Sequence, residues 1–104
     1  MKRGDVWLAA LEEPAGRRPV VLLSRDEAYR VRTSVTVALV TTTIRQIRTE
    51  VLLTPEEGLL KRCVVNLDDV FTLEKTRLER FLTHLSPEKI EWVERALKFA
   101  LALR

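Results

Sequence analysis

Residues 34–43 read SVTVALVTTT, and seven of the ten are β-branched. Branching at Cβ stiffens χ1, crowds a helix and suits a pleated strand, so this stretch is predicted to be extended. In an extended chain Val35, Val37, Leu39 and Thr41 share one face. Thr41 then stands at the open end of an apolar row, and Thr42 and Thr43 follow it as the strand turns polar.

Working outward from this strand, "PVVLLS" (Pro19–Ser24) is a continuous apolar run opened by proline. Proline is tolerated at the first residue of a strand because its missing N–H need not join the ladder. "DVWLAAL" (Asp5–Leu11) reads as the first strand, ended by Glu12, Glu13 and Pro14, and the preceding Arg3-Gly4-Asp5 reads as a turn. "RDEAYR" between the second and third strands is a polar connector of about one helical turn. Downstream, "TEVLLT" (Thr49–Thr54) is a fourth strand, Pro55–Gly58 a turn, "RCVVNL" (Arg62–Leu67) a fifth strand and "VFTLEK" (Val70–Lys75) a sixth. "RFLTHL" (Arg80–Leu85) fits either a strand or a helix.

A helix begins at Ser86, where an N-cap serine precedes Pro87 and Glu88, residues suited to the first turn and its dipole. Ile90, Val93, Leu97 and Leu101 recur at helical spacing, with Trp92, Ala96, Phe99 and Leu103 widening the stripe. The helix is expected to reach the C-terminus with Trp92 and Phe99 packed inward. Strands joined this closely are antiparallel, since a parallel crossover needs about a dozen residues or more. The fold class is therefore mainly β (α+β): one domain over residues 1–104, a strongly bent antiparallel sheet or small barrel with a C-terminal helix over one side.

Charge narrows the function. The chain carries +3 overall, but residues 17–48 hold seven arginines against Asp26 and Glu27, a balance of +5. Arginine's planar fork matches phosphate oxygens, so this segment is a phosphate-binding footprint. A single cysteine, Cys63, excludes an intrachain disulfide and suits a reducing cytoplasm. One Cys and one His make a zinc site untenable, and no phosphate-binding glycine loop is present. His84, at an element boundary, reads as a packed structural residue and Cys63 as a buried small hydrophobe. No cofactor is expected.

What remains is arginine and hydroxyl chemistry. Pro19 pushes Arg18 into an extended conformation, which helps to aim its side chain. An arginine and a threonine at the ends of adjacent strands can hold a phosphodiester between them. RNA carries its own nucleophile, the 2′-hydroxyl, so a site that orients it and neutralises charge on phosphorus suffices without a metal.

The segments "KRGDVWLAAL" (Lys2–Leu11), "RRPVVLLSRD" (Arg17–Asp26), "VALVTTTI" (Val37–Ile44) and the forty residues from Val64 to Leu103 resemble, in order, the MazF/PemK family of toxin endoribonucleases. The resemblance implies an SH3-like, CcdB-like β-barrel acting as a homodimer. It implies metal-independent, sequence-specific cleavage of single-stranded RNA, with 2′-hydroxyl attack giving a 2′,3′-cyclic phosphate and a 5′-hydroxyl. It implies a cognate antitoxin whose acidic, MazE-like tail blocks the RNA groove; no membrane is expected, because no segment approaches the roughly 20 apolar residues needed to span a bilayer. Arg18 matches the family's catalytic arginine and Thr41 its catalytic threonine. Arg17, Arg25, Thr42, Thr43 and Arg45 are expected to contact RNA, and Asp68 and Asp69 to help read bases. The chain departs from the family pattern in a short first loop, "EEPAGR", which lacks the histidine of some relatives, and in Phe71, where many members have arginine.

Two other classes fit the same resemblance. A CcdB-like poison would bind DNA gyrase through an exposed aromatic near the C-terminus. A catalytically inactive module would bind RNA or antitoxin only.

Overall fold

The computed structural model describes all 104 residues. Strands β1 (Asp5–Ala10) and β2 (Arg17–Leu22) lead through a helical turn, α1 (Ala28–Val31), to β3 (Ser34–Thr41). Then come β4 (Glu50–Leu53), β5 (Cys63–Glu74), β6 (Leu78–His84) and the helix α2 (Pro87–Ala100). The six strands form one sheet in the order β4-β5-β3-β2-β1-β6, and every neighbouring pair is antiparallel. The sheet curls, but its edges β4 and β6 do not pair with each other, so it is a half-barrel.

The segments expected as a fifth and a sixth strand are one strand, and the reason is a bulge. Ala38 pairs with Val70 while its neighbour Leu39 pairs with Asn66, so Leu67, Asp68 and Asp69 are extra residues on β5 against a single step of β3. Such an insertion bends a strand without ending it. The ambiguous "RFLTHL" is the larger part of β6. β2 begins two residues earlier than expected, with Arg17 and Arg18 paired to Ala10 and Ala9. Pro19 sits inside it because pairing to β3 starts only at Val20.

The unbroken apolar run of β2 is explained by cover on both faces. Val21 and Leu23 join Val6, Ala38 and Val40 under α2, whereas Val20 and Leu22 join Ala9, Val35 and Val37 in a second cluster. Cys63 is buried in the first cluster, as expected.

α2 starts as its sequence predicts, with the Ser86 hydroxyl accepting a hydrogen bond from the Lys89 N–H at 3.2 Å. It stops four residues short of the C-terminus, where Ala102 takes a left-handed conformation (φ 55°) and Leu103 N–H reaches back to the Lys98 carbonyl at 2.8 Å. Its inner face is Ile90, Val93, Ala96 and Leu97. Trp92 and Phe99, expected to pack inward, are instead 57% and 47% exposed. At about 100° per residue both fall more than about 90° away from the centre of the Ile90–Val93–Leu97 stripe, so the helix turns them outward. Gly4 lies in the expected Arg3-Gly4-Asp5 turn with φ 90°, and a Cβ there would meet Ile90 Cδ1 at 2.5 Å, so this turn and α2 are packed as one unit.

Candidate active site

β2 and β3 run antiparallel with Val20 opposite Leu39 and Leu22 opposite Val37. The ladder ends at Val20 and Leu39, and beyond it Arg18 and Thr41 stand near the same end of the two strands, where both line one groove. Both are half-buried. The Thr41 hydroxyl accepts a hydrogen bond from the Thr43 N–H at 3.2 Å, which fixes its direction and leaves its own proton free to donate.

Arg18 and Thr41 open onto a groove of about 710 Å³. Its near wall adds Arg17, Pro19 and Thr42, and its far wall is made by Leu60 and Lys61 of the β4–β5 loop with Arg80 and Phe81 of β6. Four cations line it, and no Asp, Glu or His does. Arg18, Lys61 and Arg80 make no ion pair within the chain, whereas Arg17 is bound by Glu79, Nε to Oε1 at 2.7 Å. That hydrogen bond and the Glu79 charge raise the Arg17 pKa above its ordinary value. Cys63 lies at the floor, where burial, and to a smaller degree the Glu57 charge, push the thiol pKa up. It therefore stays protonated and is no nucleophile at neutral pH. A concave, cationic, acid-free site with one fixed hydroxyl can hold an anion and stabilise charge growing on it.

The far wall is held in shape by its loop. Thr54 caps a short 3-10 turn, Pro55–Glu57, with Glu57 Oε2 accepting from both the Thr54 N–H and hydroxyl at 2.6 Å. These bonds, and the ammonium of Lys89 at 3.5 Å, keep the Glu57 carboxyl below the usual carboxylate range. Gly58 then turns left-handed (φ 98°) into the segment that carries Leu60 and Lys61.

The remaining expected contact residues lie outside the groove. Arg25 follows the opposite end of β2, about 20 Å along an extended chain from Arg18. Thr43 and Arg45 sit on the exposed β3–β4 loop, whose backbone is held by Glu50, with Oε1 accepting from the Arg45 and Gln46 N–H groups at 2.9 and 3.1 Å. Asp68 and Asp69 are exposed on the β5 bulge, where Asp68 accepts from the Thr49 hydroxyl at 2.7 Å. His84 is also away from the groove, its Nδ1 hydrogen-bonded to the buried Asp5 at 2.8 Å, the structural role expected of it. Sequence reading missed Lys61, Arg80, Leu60 and Phe81. Their signal was the pair Leu59–Leu60 running into Lys61–Arg62, and Arg80–Phe81 in a stretch whose period was undecided.

Residues 2–101 match the family described as PemK-like, MazF-like toxin of type II toxin–antitoxin system. The chain is 44% identical over 92 residues to a probable endoribonuclease MazF2 of Mycobacterium tuberculosis, covering 86% of this chain and 87% of that protein. It is 35% identical over 111 residues to an endoribonuclease MazF of Staphylococcus saprophyticus, covering 99% and 92%. Among solved structures, the Mycobacterium tuberculosis toxin MazF-mt6 superposes with a TM-score of 0.89 at 31% identity, covering 96% of this chain and 98% of that one. A mycobacterial endoribonuclease in complex with its cognate antitoxin superposes with the same score at 30% identity, covering 100% and 97%.

Proposed function

This chain belongs to the PemK-like, MazF-like toxins of type II toxin–antitoxin systems, and on that premise we propose that the groove at the ends of β2 and β3 is where it cuts single-stranded RNA. It is a toxin endoribonuclease. The observation that carries the site is Arg18, an arginine without an ion-pair partner in an acid-free groove that Thr41 also lines.

In the proposed reaction the 2′-hydroxyl oxygen attacks the adjacent phosphorus and the P–O5′ bond breaks. The products are a 2′,3′-cyclic phosphate and a 5′-hydroxyl, and the proton lost from O2′ is balanced by the one gained at O5′. Arg18 binds the non-bridging phosphoryl oxygens as charge builds on them, and Thr41 donates a hydrogen bond to the same group. Holding the 2′-oxygen in line with the leaving oxygen supplies much of the remaining acceleration. The groove offers arginine, lysine and hydroxyl groups, a donor set that suits a phosphodiester and not a divalent cation.

The toxin's partner is an antitoxin protein. An acidic antitoxin segment over the cationic groove would exclude RNA by charge and by bulk. A homodimer is the proposed assembly, because a chain of 104 residues has a small core and a second copy would bury more apolar area. The cytoplasm, where messenger RNA is met, is the proposed location, and no helix of the chain is long and apolar enough to cross a membrane.

The test is incubation of the purified protein with mixed-sequence RNA, with and without EDTA. Cleavage in both, with fragments that a kinase labels at the 5′ end without prior phosphatase, is the expected result. Uncut RNA, or cutting only with added metal, overturns the mechanism. The exposed Trp92 and Phe99 meet the condition that a gyrase-binding poison would set, though Arg95 and Arg48 stack on them, with centroid distances of 5.2 and 4.0 Å. Inhibition of supercoiling without RNA cleavage would favour that reading.

A further inference from the structure

β6 is bulged on both sides of one dipeptide. Val6 pairs with Thr83 but Trp7 with Phe81, and Leu8 pairs with Arg80 but Ala9 with Leu78, so Leu82 and Glu79 are each an extra residue. Bulges re-aim the side chains between them. The pair between the two bulges is Arg80–Phe81, and both residues line the groove. Phe81 is 51% exposed and Leu60, on the neighbouring loop, 96%. The Phe81 ring is nonetheless held in place. Trp7 packs against it in a T-shaped contact, with centroids 6.0 Å apart and planes at 76°, and the Trp7 indole N–H in turn donates to the buried Asp5 at 3.3 Å. A ring fixed by an aromatic neighbour, with one side open to a cationic groove, loses little entropy when something flat is laid on it.

We propose that Phe81 is a nucleobase-stacking platform, taking one base of the single-stranded RNA beside the scissile phosphate, with Arg80 and Lys61 binding the flanking phosphates. This rests on the RNA-cleaving reading of the groove and adds a subsite on the wall opposite Arg18. Charge selects the occupant. A second copy of this chain, meeting the groove with its own, would set Arg18, Lys61 and Arg80 against the same three unpaired cations, whereas RNA brings phosphates and bases in alternation.

The experiment measures KM and kcat on mixed-sequence single-stranded RNA, equilibrium binding of an uncleavable 2′-O-methyl oligonucleotide, and particle mass by light scattering. Phe81→Ala is expected to raise KM and the binding constant by about 5- to 100-fold, the scale seen on removing a base-stacking ring, and to leave kcat near wild type. Phe81→Tyr and Phe81→Trp should restore binding, and Phe81→Leu should not. Arg80→Gln and Lys61→Gln should each lower the slope of log affinity against log salt by about 0.7. Unchanged binding in Phe81→Ala, or full rescue by leucine, overturns the proposal. A mass that halves in Phe81→Ala overturns it in favour of a surface between two copies. If the wild type binds the 2′-O-methyl oligonucleotide through Phe81 but leaves RNA uncut, the stacking site stands and the cleavage reading falls.

Discussion

Arg17 of β2 and Glu79 of β6 are locked together across the intervening β1, Nε to Oε1 at 2.7 Å, while Arg18, the next residue along the strand, has no ion-pair partner. Two adjacent arginines of one strand are thus in different electrostatic states. One has its charge matched within the chain, and the other does not.

Arg18→Ala should reduce RNA cleavage roughly 100- to 1,000-fold through kcat, the usual effect of removing one donor from a developing oxyanion. Arg18→Lys should recover only part of it, because an ammonium cannot reproduce the bidentate fork. Circular dichroism should show both variants folded. Wild-type cleavage in Arg18→Ala would remove this residue from the site.

Glu79→Gln leaves the groove's own residues in place and releases Arg17. RNA should bind more tightly, with the salt dependence of log affinity steepened by about 0.7 for one added phosphate contact. Fluorescence anisotropy over a range of salt concentrations reads both numbers. A weaker complex would mean that Glu79 supports the groove and does not merely occupy Arg17.

Thr41→Val keeps the shape of the side chain and deletes its hydroxyl. A hydrogen bond to a charged group contributes about 1.5–3 kcal/mol, so single-turnover cleavage should slow by roughly 10- to 150-fold. Thr41→Ser should stay close to wild type. Equal losses in the two variants would point to backbone disturbance of the Thr43 turn instead.

Gly58→Ala tests the support of the far wall. The backbone there has φ 98°, and a Cβ would stand 2.7 Å from Thr83 Oγ1 and 2.9 Å from its Cβ. Strain of this kind costs about 2 kcal/mol, which lowers the Tm of a domain this size by on the order of 10 °C. A thermal melt followed by circular dichroism measures it, and an unchanged Tm would show that the loop relaxes freely.

Alkaline stability should depend on Tyr29. Burial, first, and the Asp26 charge, second, push its phenol pKa up from 10.0 to about 12. The sign follows from which state holds the proton longer. Below about pH 10 both folded and unfolded chains keep it, and the full stability is present. As pH rises from about 10 towards 12 the unfolded chain ionises first, so stability is lost across that window. Tyr29 is the only tyrosine, so its ultraviolet titration can be followed alongside a denaturant midpoint at each pH. Tyr29→Phe should flatten that pH dependence while losing the hydrogen bond to the Ser24 carbonyl at 2.9 Å.

Elements whose cause is local were readable in advance. β-branching between Ser34 and Thr41 made β3, and Ser86 with Pro87 started α2. The X-Pro restriction and the row Val35, Val37, Leu39, Thr41 placed Arg18 and Thr41 at strand ends, where both line the same groove. Three other features were settled only by pairing at long range. The β5 bulge hid one strand as two, because Asp68 and Asp69 look like a stop when their partner on β3 is unknown. The outward turn of Trp92 and Phe99 depended on which stripe of α2 met the sheet. The far wall of the groove joins Lys61 and Leu60 to Arg80 and Phe81, residues about 20 positions apart and more than 40 from Arg18, and their convergence depends on how far the sheet curls. Strand identity is encoded within a few residues of the chain, whereas curl, register and the choice of facing side chains come from contacts that no short stretch contains.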